Sequence, residues 1–177
     1  MITEQKYTLK SCVIIFFIFS FLGWCYELIL DLINKGALIN LGFFLGPYLP
    51  IYGTGSLCVI VLLKKFYKKP LLTFFLSMVI CSTIEFFTSY ILELIYHKLW
   101  WDYSNLFLNL NGRIALGVAV VFGIFCLILN YILAPFFNKQ IYKIPNKIQT
   151  IICIVLITVF IIDFSFSIFS PHCGFVK

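Results

Sequence analysis

Charge is what this sequence has least of. Only 11% of its 177 residues are Asp, Glu, Lys or Arg, against about 25% in an average soluble domain. Arg113 is the single arginine, and the two histidines are His97 and His172. No GxxxxGK[ST] motif occurs, so the chain has no phosphate-cradling loop of its own for ATP. The seven cysteines show no CxxC and no Cys/His ligand spacing, so neither a metal site nor a cofactor is expected; six lie in apolar stretches and read as small packing residues. These shortages exclude an ordinary soluble enzyme, a disordered chain and a nucleic-acid binder.

What is there in excess is apolar surface. The hydrophobic class makes up 62% of the chain, aromatic residues make up 19%, and the mean hydropathy is +1.05. A soluble fold of this size has too little interior to hide that much. The partner implied is the lipid bilayer. Five apolar stretches, about 9–32, 36–63, 70–96, 114–137 and 148–169, each reach the roughly 20 residues that a membrane helix needs. No alternation of the β-barrel kind appears. The expected fold class is therefore all-α, a polytopic helix bundle forming a single transmembrane domain over 1–177. The first stretch is too long for a signal peptide and lacks an Ala-x-Ala-like end, so it is expected to be retained.

Five crossings put the termini on opposite sides. Lys6, Lys10, Lys64, Lys65, Lys68, Lys69, Lys139, Lys143 and Lys147 then share one side, against Lys35, Lys98, Arg113 and Lys177. The Lys-rich side should be cytoplasmic, which gives a cell-membrane protein with its N-terminus inside and its C-terminus outside.

Five of the seven carboxylates, Glu27, Asp31, Glu85, Glu93 and Asp163, fall within or at the ends of apolar stretches. Under that orientation they gather in the outer half of the bilayer. Ser20, Trp24, Glu27 and Asp31 share one helix face, as do Ser82, Glu85, Ser89, Glu93 and Tyr96. A carboxylate facing lipid is costly, so both stripes should turn inward. Asp31 reads as a solvated end residue, and Asp163 as neutralised by hydrogen bonds or by protonation. Candidate substrate- or ion-binding residues are Glu27, Glu85, Glu93 and Arg113, with Asp102 at the mouth and in reach of an ion pair with Arg113.

Two connecting regions are unusual. Gly46-Pro47-Tyr48-Leu49-Pro50-Ile51-Tyr52-Gly53 cannot continue a straight helix. Two structures fit it: a broken or re-entrant segment at 38–50 with the crossing starting at Pro50, or a plain turn before that crossing. Trp100-Trp101-Asp102-Tyr103-Ser104 reads as an interfacial aromatic belt, and Asn109-Leu110-Asn111-Gly112-Arg113 follows it. Glu27-Leu28-Ile29 before Asn40-Leu41-Gly42 is echoed by Glu93-Leu94-Ile95 before Asn109-Leu110-Asn111-Gly112, which suggests two similarly oriented hairpins.

Trp24 with Glu27, then Asn40, the Gly46–Gly53 run, Trp101-Asp102-Tyr103-Ser104 and Asn109–Arg113 together resemble the bacterial CmpB family, an ABC-transporter type IV or permease family. The resemblance covers roughly residues 16–125. It implies a transporter permease or permease subunit, and Trp24, Asn40, Gly46, Pro47, Pro50, Tyr52, Gly53, Trp101, Tyr103, Asn109 and Gly112 as its structural motif. The missing phosphate loop then requires a separate ATPase subunit, and five crossings favour a homo-oligomer or another partner. Two other readings stand beside it. One is an intramembrane enzyme acting on a lipid or cell-envelope substrate through its carboxylates and Arg113. The other is a non-catalytic assembly protein, which buried, hydrogen-bonded carboxylates would favour.

Overall fold

In the computed structural model, residues 6–36 and 42–171 are described; Asn40, His172 and Cys173 lie outside them. The helices begin and end where the local chemistry dictates. Helix α1 (Leu9–Lys35) starts at Thr8, whose hydroxyl accepts the Ser11 amide at 3.1 Å, and stops at Gly36 in the left-handed region. Helix α2 (Pro50–Leu62) opens on a proline, which has no amide to leave unpaired at a first turn. Helix α3 (Pro70–Tyr96) does the same and is closed by His97 at φ 55°. A two-stranded hairpin follows, β1 (Asn109–Leu110) with β2 (Ile114–Ala115). Helix α4 (Leu116–Tyr142) contains a π-helical turn at Leu129–Leu133, and helix α5 (Asn146–Phe169) follows Pro145.

Among the described residues the structure is all-α apart from that hairpin, and four helices, α1, α3, α4 and α5, are long and apolar enough to cross a membrane. Of the five apolar stretches expected to cross, four correspond to such helices and the second to a shorter one. Helix α2 has only 13 residues, about 20 Å of rise, where a hydrocarbon core takes about 30 Å. The cause lies in the sequence before it, because the prolines and glycines at 46–50 hold the chain non-helical until Pro50.

Two compact units divide the chain, one of residues 55–137 and one of the described parts of 7–54 and 138–171. In the first, α3 packs along α4. Val59, Leu63 and Cys126 form a small core with Phe66, Leu76, Ile80 and Cys81 around it. The buried stripe of α3 is Thr73, Ser77, Glu85 and Ser89, at multiples of four residues. Leu71, Phe75, Val79, Phe87, Ile91 and Leu94 on the same helix are exposed. Small polar side chains inside and large apolar ones outside reverse the soluble pattern and suit lipid as solvent. In the second unit, Phe16, Phe17, Phe44, Phe160 and Phe164 pack edge-on and stacked around Tyr48. Gln149 donates to the carbonyls of Ile141 (3.0 Å) and Ile144 (2.9 Å), which closes the end of α4 where the helix leaves its carbonyls unpaired.

Candidate functional site

The unit of residues 55–137 carries the densest set of candidate side chains. Four-residue spacing stacks Glu85, Ser89 and Glu93 on successive turns of α3. Residues 98–113 supply what these side chains meet. The Asp102 carboxylate accepts the Ser104 amide at 2.8 Å and the Ser104 hydroxyl, a local turn that needs a short acceptor side chain. Asn109 donates to the carbonyls of Ser104 (3.0 Å) and Leu106 (2.9 Å) and accepts the Gly112 amide at 3.2 Å. The Tyr103 amide donates to the Gly112 carbonyl at 2.7 Å. At the hairpin tip Asn111 and Gly112 have φ 54° and 67°, and the Arg113 amide bonds the Leu110 carbonyl at 3.1 Å. Both positive φ values belong to a primed turn, which Asn-Gly favours. At Gly112 a Cβ would also collide with the Asp102 and Ser104 side chains. The two sequence motifs, Trp-Asp-Tyr-Ser and Asn-Leu-Asn-Gly-Arg, are therefore one device.

That device aims Arg113 at α3. The Trp101 indole N–H holds the Arg113 carbonyl at 3.0 Å. The guanidinium donates to the Ser89 hydroxyl at 3.2 Å and forms an ion pair with Glu93. It lies 5.9 Å from the Phe86 ring centre and 5.5 Å from that of Tyr90, within cation–π range. The Tyr103 hydroxyl donates to Glu85 at 3.0 Å. Glu85 is buried, Arg113 is 12% exposed and Glu93 is 39% exposed. The pair is thus open on its carboxylate side. An ion pair between Asp102 and Arg113 does not form; the hairpin turns Arg113 toward Glu93, and Asp102 spends its acceptors on Ser104, whose bonds hold its carboxyl below the ordinary value.

Glu27 belongs to the other unit, where it accepts the Tyr52 hydroxyl. Around it Trp24 stacks on Phe21, Gly23 lies against the Tyr52 ring, Gly53 lies against Ser20 and Phe16, and the Leu49 amide donates to the Ser20 carbonyl at 2.9 Å. Pro50 opens α2, Pro47 is exposed, and Asn40 is outside the described residues. Asp31 is buried rather than solvated, because it shares the inward face of α1 with Glu27 one turn earlier.

Asp163 is neutralised by hydrogen bonds, as expected, and it has four partners, three of them outside its own Ser-rich stretch. Its carboxylate accepts the amides of Leu45 (3.1 Å) and Gly46 (2.9 Å), the Tyr48 hydroxyl, and the Ser167 hydroxyl (3.0 Å). Gly46 and Tyr48 of the proline-glycine run are therefore bound to a helix more than a hundred residues later. Asn130, buried in the π-helical turn of α4, was missed. Its signal is a lone amide inside an otherwise apolar run.

Among the described residues, no group of three or more His, Cys, Asp or Glu side chains could hold a metal ion. Apolar helices with inward carboxylates and one charged helix–hairpin junction define a polytopic membrane protein of the α-helical class. The chain belongs to the family described as Putative ABC-transporter type IV (ABC_trans_CmpB), which matches residues 14–168. That span takes in α4 and most of α5, well beyond the motifs that carry the resemblance. No curated protein and no solved structure shows significant similarity to the chain.

Proposed function

We propose that this chain is the membrane-embedded permease subunit of an ABC-type transporter in the cell membrane, with a polar site at the junction of α3 and the Arg113 hairpin. The carrying observation is the asymmetric ion pair. Arg113 is sheltered by Ser89, Phe86 and Tyr90, while Glu93 is 39% exposed. A sheltered cation fixes the site, and an open carboxylate can exchange its partner for a substrate group. Intramembrane ionisable residues are mostly functional. Glu85 and Tyr103 extend the polar face, and Asp102 orders the hairpin. Glu27 is a second acidic position with the same chemistry in its own unit.

In this reading the lysines at 64–69 and 139–147 face the cytoplasm, the N-terminus lies inside, and the 98–113 hairpin lies outside. ATP hydrolysis comes from a separate subunit. The test is purification of the tagged full chain from native membranes, followed by measurement of ATPase activity in the isolated complex. Co-purifying ATPase, with transport lost on Glu93→Gln and retained in controls at exposed lipid-facing positions, is the expected result. A chain that purifies without ATPase, and whose Glu27→Gln, Glu85→Gln and Glu93→Gln variants support normal growth and transport, would sink the proposal. Labelling of single introduced cysteines at Lys65 and Asn105 from outside intact cells tests the orientation; only position 105 should react.

A second reading has an observation in its favour. Glu27, Glu85, Glu93 and Asp163 each hold a protein partner, as expected of an assembly protein whose acids serve packing. Under it the same variants lower melting temperature in step with any loss of phenotype, whereas a transport site loses activity at unchanged stability.

A further inference from the structure

We propose that the unit of residues 55–137 binds one membrane phospholipid with a zwitterionic phosphate–ammonium head. The acyl chain lies in an open groove between α3, the hairpin and α4, and the head sits at the Arg113–Glu93 pair. The groove has a volume of about 390 Å³ and is lined by Met78, Val79, Phe86, Phe87, Ile114 and Ala119 among others. Its wall is mostly apolar: Ser82 adds one hydroxyl, and the Thr83 hydroxyl is turned back onto the Val79 carbonyl at 2.7 Å. Phe86 joins the two halves: it lines the groove and also lies under the Arg113 guanidinium. Ile114, the residue after Arg113, lines the groove too.

Depth and charge name the occupant. Ser89, which Arg113 contacts, and Met78 at the groove's far end are eleven residues apart on α3, about 16 Å along the axis. That is roughly half of a 30 Å hydrocarbon layer, so an occupant with its head at Arg113 has its chain at groove depth. The guanidinium has five N–H groups. One serves Ser89 and one serves Glu93, which leaves donors for a phosphate oxygen. The pair is neutral as a whole, and the exposed edge belongs to Glu93. A purely anionic head would meet that carboxylate unfavourably. A head with a primary ammonium beside its phosphate satisfies both partners, and a trimethylated one has no N–H to give Glu93.

The test uses the full chain in phosphatidylcholine vesicles. A trace of phosphatidylethanolamine carrying a photoreactive acyl chain is added, and adducts are mapped by mass spectrometry. Adducts at 78–87 and 114–119 should exceed those at exposed Ile124 and Phe125 by about fivefold, a bias near 1 kcal/mol. Unlabelled phosphatidylethanolamine should compete, and phosphatidylglycerol should not. Ala119→Trp, which fills the groove, should remove the excess while labelling elsewhere persists. Equal labelling of every lipid-facing residue, or competition by phosphatidylglycerol as strong as by phosphatidylethanolamine, would overturn the assignment. The competition arm uses the unaltered protein, so it decides the matter even if Ala119→Trp fails to fold.

Discussion

Asp163 and Glu93 are both carboxylates near the C-terminal ends of long apolar helices, and their surroundings treat them in opposite ways. Asp163 is buried and accepts two amides and two hydroxyls. Glu93 faces the chain's only arginine and keeps 39% of its side chain exposed. The first is a closed arrangement, in which three of the four bonds hold the non-helical segment 42–49 against α5 and the fourth comes from Ser167 of α5 itself. The second is open, with one partner fixed and one edge free to meet something else. Non-helical backbone beside apolar helices must have its amides satisfied by protein, and Asp163 does that for Leu45 and Gly46. Intramembrane acids in this chain therefore divide by neighbourhood and not by sequence position.

The largest expected effect breaks the closed side. Asp163→Ala strands two amides and two hydroxyls. A buried donor left unsatisfied costs about 1–3 kcal/mol, and relaxation recovers part of the sum, so about 4 kcal/mol is expected overall. Purified protein in detergent should melt many degrees lower, read by intrinsic fluorescence. Asp163→Asn, which keeps one acceptor, should fall between. If both variants melt with the unaltered protein, Asp163 is no clamp and the contrast with Glu93 dissolves.

On the open side the expected balance is reversed. Arg113→Lys keeps the charge but loses the planar fork that reaches Ser89 and Glu93 together. With Glu93 so exposed, solvent screens the pair, and about 1 kcal/mol of stability is at stake. Transport or lipid preference should suffer far more than melting temperature. A variant whose stability drops as far as that of Asp163→Ala would make the Arg113–Glu93 pair structural too.

Much of this was legible in the residues. Helix α3 was read to its observed bounds, because Pro70 and the Tyr96-His97 end are strong punctuation in an unbroken apolar run. The stripe of Glu85, Ser89 and Glu93 followed from spacing alone. Ser82, read on the same face, lines the outer groove instead, since a helical stripe that begins one turn early drifts around the axis. The start of α2 at Pro50 was legible too, because Gly46, Pro47 and Pro50 bar a helix through 46–49. Ser167 lies one helical turn from Asp163, but its other three partners lie 115 to 118 residues away, and periodicity carries no information at that range. Arg113's choice of Glu93 over Asp102 depends on the left-handed turn at Asn111-Gly112, which sets where the hairpin points.

A smaller effect sharpens the inner end of the open site. Tyr103→Phe removes the hydroxyl that donates to buried Glu85 at 3.0 Å. Single side-chain hydrogen bonds inside membrane proteins are worth about 0.6 kcal/mol, with a maximum near 1.7, so a fall of a few degrees in melting temperature is expected. Glu85→Ala removes the same bond, and the double variant should cost less than the two losses added, because each single change already removes the shared bond. Strict additivity would mean the two side chains act independently and that the polar face stops at Ser89.

The smallest effect lies in the hairpin, where pH can be used instead of mutation. Asp102 is fully exposed, and the amide and hydroxyl of Ser104 hold its carboxyl below the ordinary value. The folded-state pKa is depressed, so the ordering these bonds provide is complete above the usual carboxylate range near pH 4. It is lost as pH falls through the lowered value. Exchange of the Ser104 and Gly112 amides should accelerate in that acid window, while amides in the middle of α3 and α5 stay protected. Asp102→Asn should abolish the pH step at Ser104 and leave the Asp163 clamp untouched. Exchange of the Ser104 and Gly112 amides that does not change through this window would show that Asp102 does not order the hairpin.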